Sequence, residues 1–160
     1  MSSDHPTSPS PREQEPDSLP RLSPSGLYNL LKPSRCDLRE WLKSHGYEEE
    51  PPSAFRELLF EQGLEHERRH LARFPDAIDI AELPRERQAE YTSEELGAGD
   101  RVIYQGALRA RTTLGGVEAE IVGHPDFMLP ARKGYAIRDS KLSHSVSDYI
   151  RMQLLTYGWL

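Results

Sequence analysis

The sequence has little sulfur: one cysteine, Cys36, in 160 residues. A single thiol excludes an internal disulfide, and a reducing, cytoplasmic setting is the expectation. Long apolar runs are absent too, which excludes a membrane-spanning helix built from about 18 consecutive apolar residues. The first twenty residues lack the charged and apolar blocks of a signal peptide. Excess positive charge is also missing. The net charge is −6, and a global balance of that sign argues against a nucleic-acid binder, whereas the local charge does not. The charge is unevenly spread, however. Lys and Arg against Asp and Glu run 1 to 4 over residues 1–20 and 9 to 9 over residues 21–73. They run 2 to 8 over residues 74–100, and 8 to 5 over residues 101–160. The acidity sits in a leader and a middle segment, and the last third is basic.

Residues 1–22 are rich in Ser, Pro and Glu and have too few apolar side chains to bury, so a disordered leader is expected there. Residues 23–160 are long enough for one domain with its own core. Ser23 and Pro24 suit an N-cap and first helical position, with Leu27, Leu30 and Leu31 as an apolar face and Pro33 as the stop. A second helix is expected over residues 34–45, burying Leu38, Trp41 and Leu42. Cys36 at its start reads as a small buried hydrophobe or as a thiolate ligand with partners elsewhere. Ser53 caps a longer helix over residues 54–73. Counting 100° per residue from Phe55 places Leu58, Leu59, Gln62 and His66 on one inward face, with Gly63 beside it. Residues 74–100 read as a mostly irregular connection with a short strand around 77–83.

From residue 101 the pattern changes to strands: residues 101–111, 117–129 and 135–142, joined by short turns into an antiparallel meander. Gly123 and Pro125 predict a bend in the second strand. In the third strand, Asp139 and Lys141 share a face with Ile137, roughly 6 to 7 Å apart along the chain. Ser147 then caps a helix whose inner face carries Ile150, Gln153, Leu154 and Tyr157. Taken alone, each polar residue has an ordinary explanation: an inward His is usually a satisfied core histidine, and Asp-x-Lys on a strand is usually an ion pair. Together, His66, Asp126 and Asp139 make a hard ligand set suited to Mg²⁺ or Mn²⁺, with Lys141 beside it. Phosphodiester hydrolysis needs that division of labour.

On these residues the chain resembles the PD-(D/E)XK nuclease superfamily, within it the RecB-like branch that includes CRISPR-associated RecB-like exonucleases. Gly63-Leu64-Glu65-His66 matches the helical G-x-x-H motif, Gly123-His124-Pro125-Asp126 matches G-x-x-D, Asp139-Ser140-Lys141 matches (D/E)-x-K, and Gln153 to Tyr157 matches Q-x-x-x-Y. The resemblance spans residues 22 to 160. It implies an α+β, restriction-endonuclease-like core with N-terminal helices, a three-stranded sheet and a following helix. The family's final core strand has no counterpart before Leu160. It implies His66, Asp126 and Asp139 as ligands of Mg²⁺ or Mn²⁺, the Ser140 carbonyl as a further one, Lys141 as the catalytic lysine, and Gln153 and Tyr157 as accessory, DNA-contacting residues. His124 reads as structural or as a substrate contact. Many relatives hold a 4Fe-4S cluster through one early cysteine and three late ones; Cys36 matches the first, and the others are not in this sequence. The implied partner is DNA, at ends or single strands, and longer relatives carry helicase or further nuclease-like domains. A non-catalytic nucleic-acid-binding module or an inactive fragment is the competing expectation.

Overall fold

A computed structural model describes residues 19–32 and 36–160. Most of the leader expected over residues 1–22, and Pro33, lie outside the described residues. The chain is mixed α+β. Among the described residues there are five α-helices and two mixed sheets. The three-stranded sheet has the order β1-β5-β4: β1 (Arg21–Leu22) runs parallel to β5 (Val117–Gly123), and β4 (Leu108–Leu114) runs antiparallel to β5. The four-stranded sheet has the order β2-β3-β6-β7, built from β2 (Ile78–Asp79), β3 (Ile103–Tyr104), β6 (Phe127–Pro130) and β7 (Tyr135–Arg138). Among the described residues, no helix is long and apolar enough to cross a membrane.

The single meander expected from residue 101 onward is therefore two sheets. The first expected strand splits into β3 and β4 at Gln105-Gly106-Ala107, where Gln105 takes a left-handed φ of 53°. The second splits into β5 and β6 at His124-Pro125-Asp126. Proline has no N–H to donate and glycine has no side chain to hold a ladder, so this bend carries the chain from one sheet to the other. The third stops at Arg138, which leaves Asp139 and Lys141 in the loop beyond β7. Arg21 and Leu22, expected at the end of the leader, pair with Glu120 and Ile121. The β4–β5 hairpin turns at Gly115 and Gly116, whose φ values of 59° and 85° suit a two-residue turn that matches strand twist.

The helices correct the sequence reading in two places. Residues 74–100 are not mainly irregular: α4 covers Arg85–Ala98. Pro84 precedes it and Gly99 closes it in the left-handed conformation, so residues that read as loop markers are helix boundaries. Thr92 is 1% exposed; its hydroxyl donates to the Gln88 carbonyl and accepts from the Ala107 N–H, tying α4 to the start of β4. The second correction concerns burial. Helix α2 (Asp37–Ser44) buries Glu40, while Leu38 and Trp41 are exposed. Helix α3 (Ala54–Leu71) buries no residue, and Phe55, Leu58 and Leu59 face solvent. A 3.6-residue repeat identifies a helix face but not the surface that covers it. Helix α1 (Pro24–Leu31) has the expected Ser23 cap. It packs on α5 (Asp148–Trp159), with Tyr28 and Tyr149 ring centroids 5.2 Å apart.

The core is formed by Ile80, Ile103, Leu108, Met128 and Tyr157, with Phe127 also fully buried. Tyr157 thus joins α5 to both sheets at the place where the chain changes from β5 to β6.

Candidate active site

The bend between β5 and β6 presents Asp126, and the loop after β7 presents Asp139 to Lys141. They meet because β6 and β7 are antiparallel neighbours, with Phe127 opposite Arg138, which puts the start of one strand beside the end of the other. The Ser140 N–H donates to Asp126 Oδ2 at 2.6 Å. That bond uses a backbone donor that a longer β7 would have spent on its ladder, and it fixes the two carboxylates as neighbours.

Asp139 is the most deeply buried of the group, its side chain only 2% exposed. Neither of its oxygens accepts a well-formed hydrogen bond. Lys141 Nζ lies 2.6 Å from Asp139 Oδ2 as an ion pair. Buried charges normally have both a counterion and hydrogen bonds, so Asp139 keeps acceptor capacity unused. Ser140 Oγ and Gln153 Oε1 are likewise buried without partners. Three neighbouring residues of one site therefore share the same deficit.

The carboxylates repel one another. Burial, then the charge of Asp139, push Asp126 up to about 7, against the pull of the Ser140 N–H. Lys141 is pulled down by burial, but its contact with Asp139 and the charge of Asp126 outweigh this and hold it above its usual range. Lys141 is thus a protonated cation, suited to neutralising charge rather than to removing a proton.

Helix α5 sets the backbone of the bend. Tyr157 is 5% exposed; its hydroxyl donates to the His124 carbonyl at 3.1 Å and accepts from Gln153 Nε2 at 3.0 Å. Its ring lies over Gly123, where a Cβ would meet Tyr157 ring carbons at 2.7 and 2.8 Å and Leu160 Cδ1 at 2.9 Å. Hence the glycine of one motif is required by the tyrosine of another. Tyr157 and Gln153, expected as accessory, DNA-contacting residues, bond to each other, and Tyr157 bonds to the backbone of the bend ahead of Asp126.

The structure unites Asp126, Asp139, Lys141, Gln153 and Tyr157. It does not bring His66 into a ligand set with the two aspartates. Among the described residues, no three His, Cys, Asp or Glu side chains are placed to hold a metal ion. His66 is half-buried on α3, and nothing lies within 4 Å of where a Gly63 Cβ would stand, so Gly63 serves no close approach. Cys36 is exposed at the N-cap of α2 rather than buried. The α3 side chain whose charge reaches Asp126 is Glu67. Its Oε1 accepts from Gln105 Nε2, and its charge adds to the upward push on Asp126. Gln105 in turn donates its backbone N–H to the Asp126 carbonyl at 2.9 Å. Glu67 stands beside His66 in the sequence, so the helix position was legible, but which of the two faces the site depends on how α3 is rotated.

Two neighbouring carboxylates, one of them with both oxygens unpartnered by hydrogen bonds, fit Mg²⁺ or Mn²⁺, which take one or two protein carboxylates and complete their shell with water and phosphate. Searches of protein-family models, curated proteins and solved structures return no match to the chain.

Proposed function

We propose that the chain is a metal-dependent phosphodiester hydrolase, a DNA nuclease of the RecB-like kind that acts as an exonuclease at ends or single strands. The observation that carries this reading is the Asp126–Asp139 pair, with the Ser140 N–H donating to Asp126 and protonated Lys141 paired to the buried Asp139 side chain. A divalent cation bound by the two carboxylates would supply Lewis-acid polarisation of a phosphate oxygen and an acidified water. The chain's own residues do the rest. Asp126 and Asp139 accumulate negative charge that favours a cation over a neutral ligand. Lys141 remains protonated and stabilises negative charge on the phosphate oxygens. Tyr157, its hydroxyl held by Gln153, holds the His124 carbonyl and through it the bend that aims Asp126.

The test is cleavage of single- and double-stranded DNA with Mg²⁺ or Mn²⁺, against EDTA. Asp139→Ala and Lys141→Ala are each expected to abolish metal-dependent cleavage. Activity equal to wild type in both variants rejects the assignment. A nucleic-acid-binding module without catalysis would instead show wild-type DNA binding with no cleavage under any of these metals.

A further inference from the structure

The three-stranded sheet has an open edge. In the order β1-β5-β4, strand β4 is last, and among the described residues no strand pairs with its outer side. The Glu120 N–H donates to the Pro20 carbonyl on the β1 side, so Glu120 and its cross-strand neighbour Arg111 form a non-hydrogen-bonded pair. The backbone N–H and C=O of Arg111, and by alternation those of Thr113, therefore point out of the open edge. Helix α4 meets the start of β4, where Thr92 holds the Ala107 N–H. The far half of the strand, from Ala110 to Leu114, carries no Pro, Lys or bulge. Without those devices an edge is a template for another strand.

Apolar surface lies beside that edge. On the inner face of the sheet, β4 and α5 bound a groove of about 280 Å³, lined by Thr112, Leu114, Ile121, Met152, Leu155 and Trp159. Leu114 is 38%, Leu155 71% and Trp159 56% exposed. The outer face carries two unanswered charges. Among the described residues, neither Arg111 nor Glu118 has an ion-pair partner. Arg111 stands opposite Glu120, which is held by Arg21 at 2.8 Å, and Glu118 stands opposite the short Thr113.

We propose that the open edge of β4 pairs with the same edge of a second copy, antiparallel about a two-fold axis at Thr112, so that two three-stranded sheets become one continuous sheet. Arg111 of one copy then stands opposite Thr113 of the other, and the two exchange the backbone hydrogen bonds that each edge leaves free. On the outer face, Arg111 reaches over that Thr113 to the other copy's Glu118, two strand spacings or about 10 Å away. The row across the seam alternates in sign: Arg21, Glu120 and Arg111 of one copy, then Glu118 of the other. An axis at Arg111 would instead set two arginines face to face. On the inner face, Thr112 meets Thr112, and Leu114 stands over the other copy's Ala110, beside the Ile121 that lines its groove. Both α5 helices lie on this side, so Leu155 and Trp159 of the two copies cover one another across the seam. Leu114, Leu155 and Trp159 expose on the order of 300 Å² per copy. With the paired backbones, the interface reaches the roughly 1,000 Å² in total that a specific dimer needs. The inference goes beyond the nuclease reading and does not depend on it.

The test is sedimentation velocity of the full chain at micromolar concentrations, where wild type is expected at twice the mass of one chain. Thr113→Pro removes an N–H that faces the open edge and leaves the β4–β5 bonds in place. Leu155→Glu puts a charge into the seam at a side chain that is exposed in the single copy. Each is expected to weaken dimerisation at least about tenfold. Glu118→Arg is expected to weaken it as well, and Arg111→Glu/Glu118→Arg to restore it, because the exchanged charges meet again across the seam. Phe55→Glu, on the exposed helix α3, is expected to leave the dimer intact. Circular dichroism checks that every variant folds. Wild-type chain that stays monomeric overturns the proposal. So does a dimer that survives both Thr113→Pro and Leu155→Glu, or one that Phe55→Glu dissolves while those two keep it. A charge exchange that fails to restore the dimer overturns the axis at Thr112.

Discussion

Replacing Asp126 with asparagine is expected to make the metal-free protein more stable while abolishing the metal-dependent cleavage proposed for it. In the fold Asp126 is pushed up to about 7 from an ordinary 3.8, by burial and by Asp139. The sign follows from the raised value. Below about pH 4 the carboxyl is protonated in folded and unfolded chains alike, and nothing is lost. As pH rises from about 4 to about 7, the unfolded chain ionises first and folding is progressively disfavoured; above about 7 the cost is constant. About three units at ~1.4 kcal/mol each set a ceiling on the order of 4 kcal/mol. Asp126 is only partly buried, so solvent screens some of this, and a gain on the order of 2 kcal/mol at pH 8 is expected. Asparagine keeps an oxygen to accept the Ser140 N–H and removes the charge. For a chain of this length the gain corresponds to a rise in Tm of about 4 to 8 °C. The assay is thermal unfolding in EDTA at pH 8 and pH 5, beside Mg²⁺-dependent cleavage. The advantage of the variant is expected to shrink at pH 5, where the wild-type carboxyl is already protonated in the fold. A variant that is less stable than wild type at pH 8, or an advantage that does not narrow on acidification, refutes the picture of a strained carboxylate pair.

Two further substitutions probe the frame around the site. Gly123→Ala drives a Cβ to within 2.8 Å of two Tyr157 ring carbons. It is expected to cost about 1 to 3 kcal/mol in chemical denaturation and to lower cleavage more than DNA affinity, because it moves the bend that aims Asp126; wild-type stability would show that the ring is free to retreat. Thr92→Val keeps the shape but orphans the buried Ala107 N–H, with an expected loss of about 1 to 3 kcal/mol and no effect on metal-dependent cleavage beyond that of stability.

Much of the site was legible because its chemistry is local. Asp139, Ser140 and Lys141 are consecutive, and Gly123 to Asp126 form a single bend, so a short stretch of sequence holds each part. The inner face of α5 was also correct where it mattered: Tyr157 is buried and Gln153 bonds to it. What failed has a common cause. The apolar stripes of α2 and α3 predict faces, but nothing in a stripe says which surface covers it, and here Leu38, Phe55 and Leu58 remain exposed. Helix α4 was hidden because its inward positions include Thr92 and Glu95, polar residues whose burial is possible only once the Ala107 N–H and Arg101 answer them.

The sequence by itself determined the helix caps at Ser23, Ser53 and Ser147, the hairpin at Gly115-Gly116, and the local grouping of Asp139, Ser140 and Lys141. These depend on contacts within a few positions of the chain. Only the tertiary structure decided that one long β-rich stretch forms two sheets, that burial and the charge of Asp139 raise Asp126, that Glu67 on α3 adds to that push, and that Tyr157 bonds to the backbone of the bend ahead of Asp126. Those properties arise from the approach of segments tens of residues apart, where burial removes the water that would otherwise screen each charge.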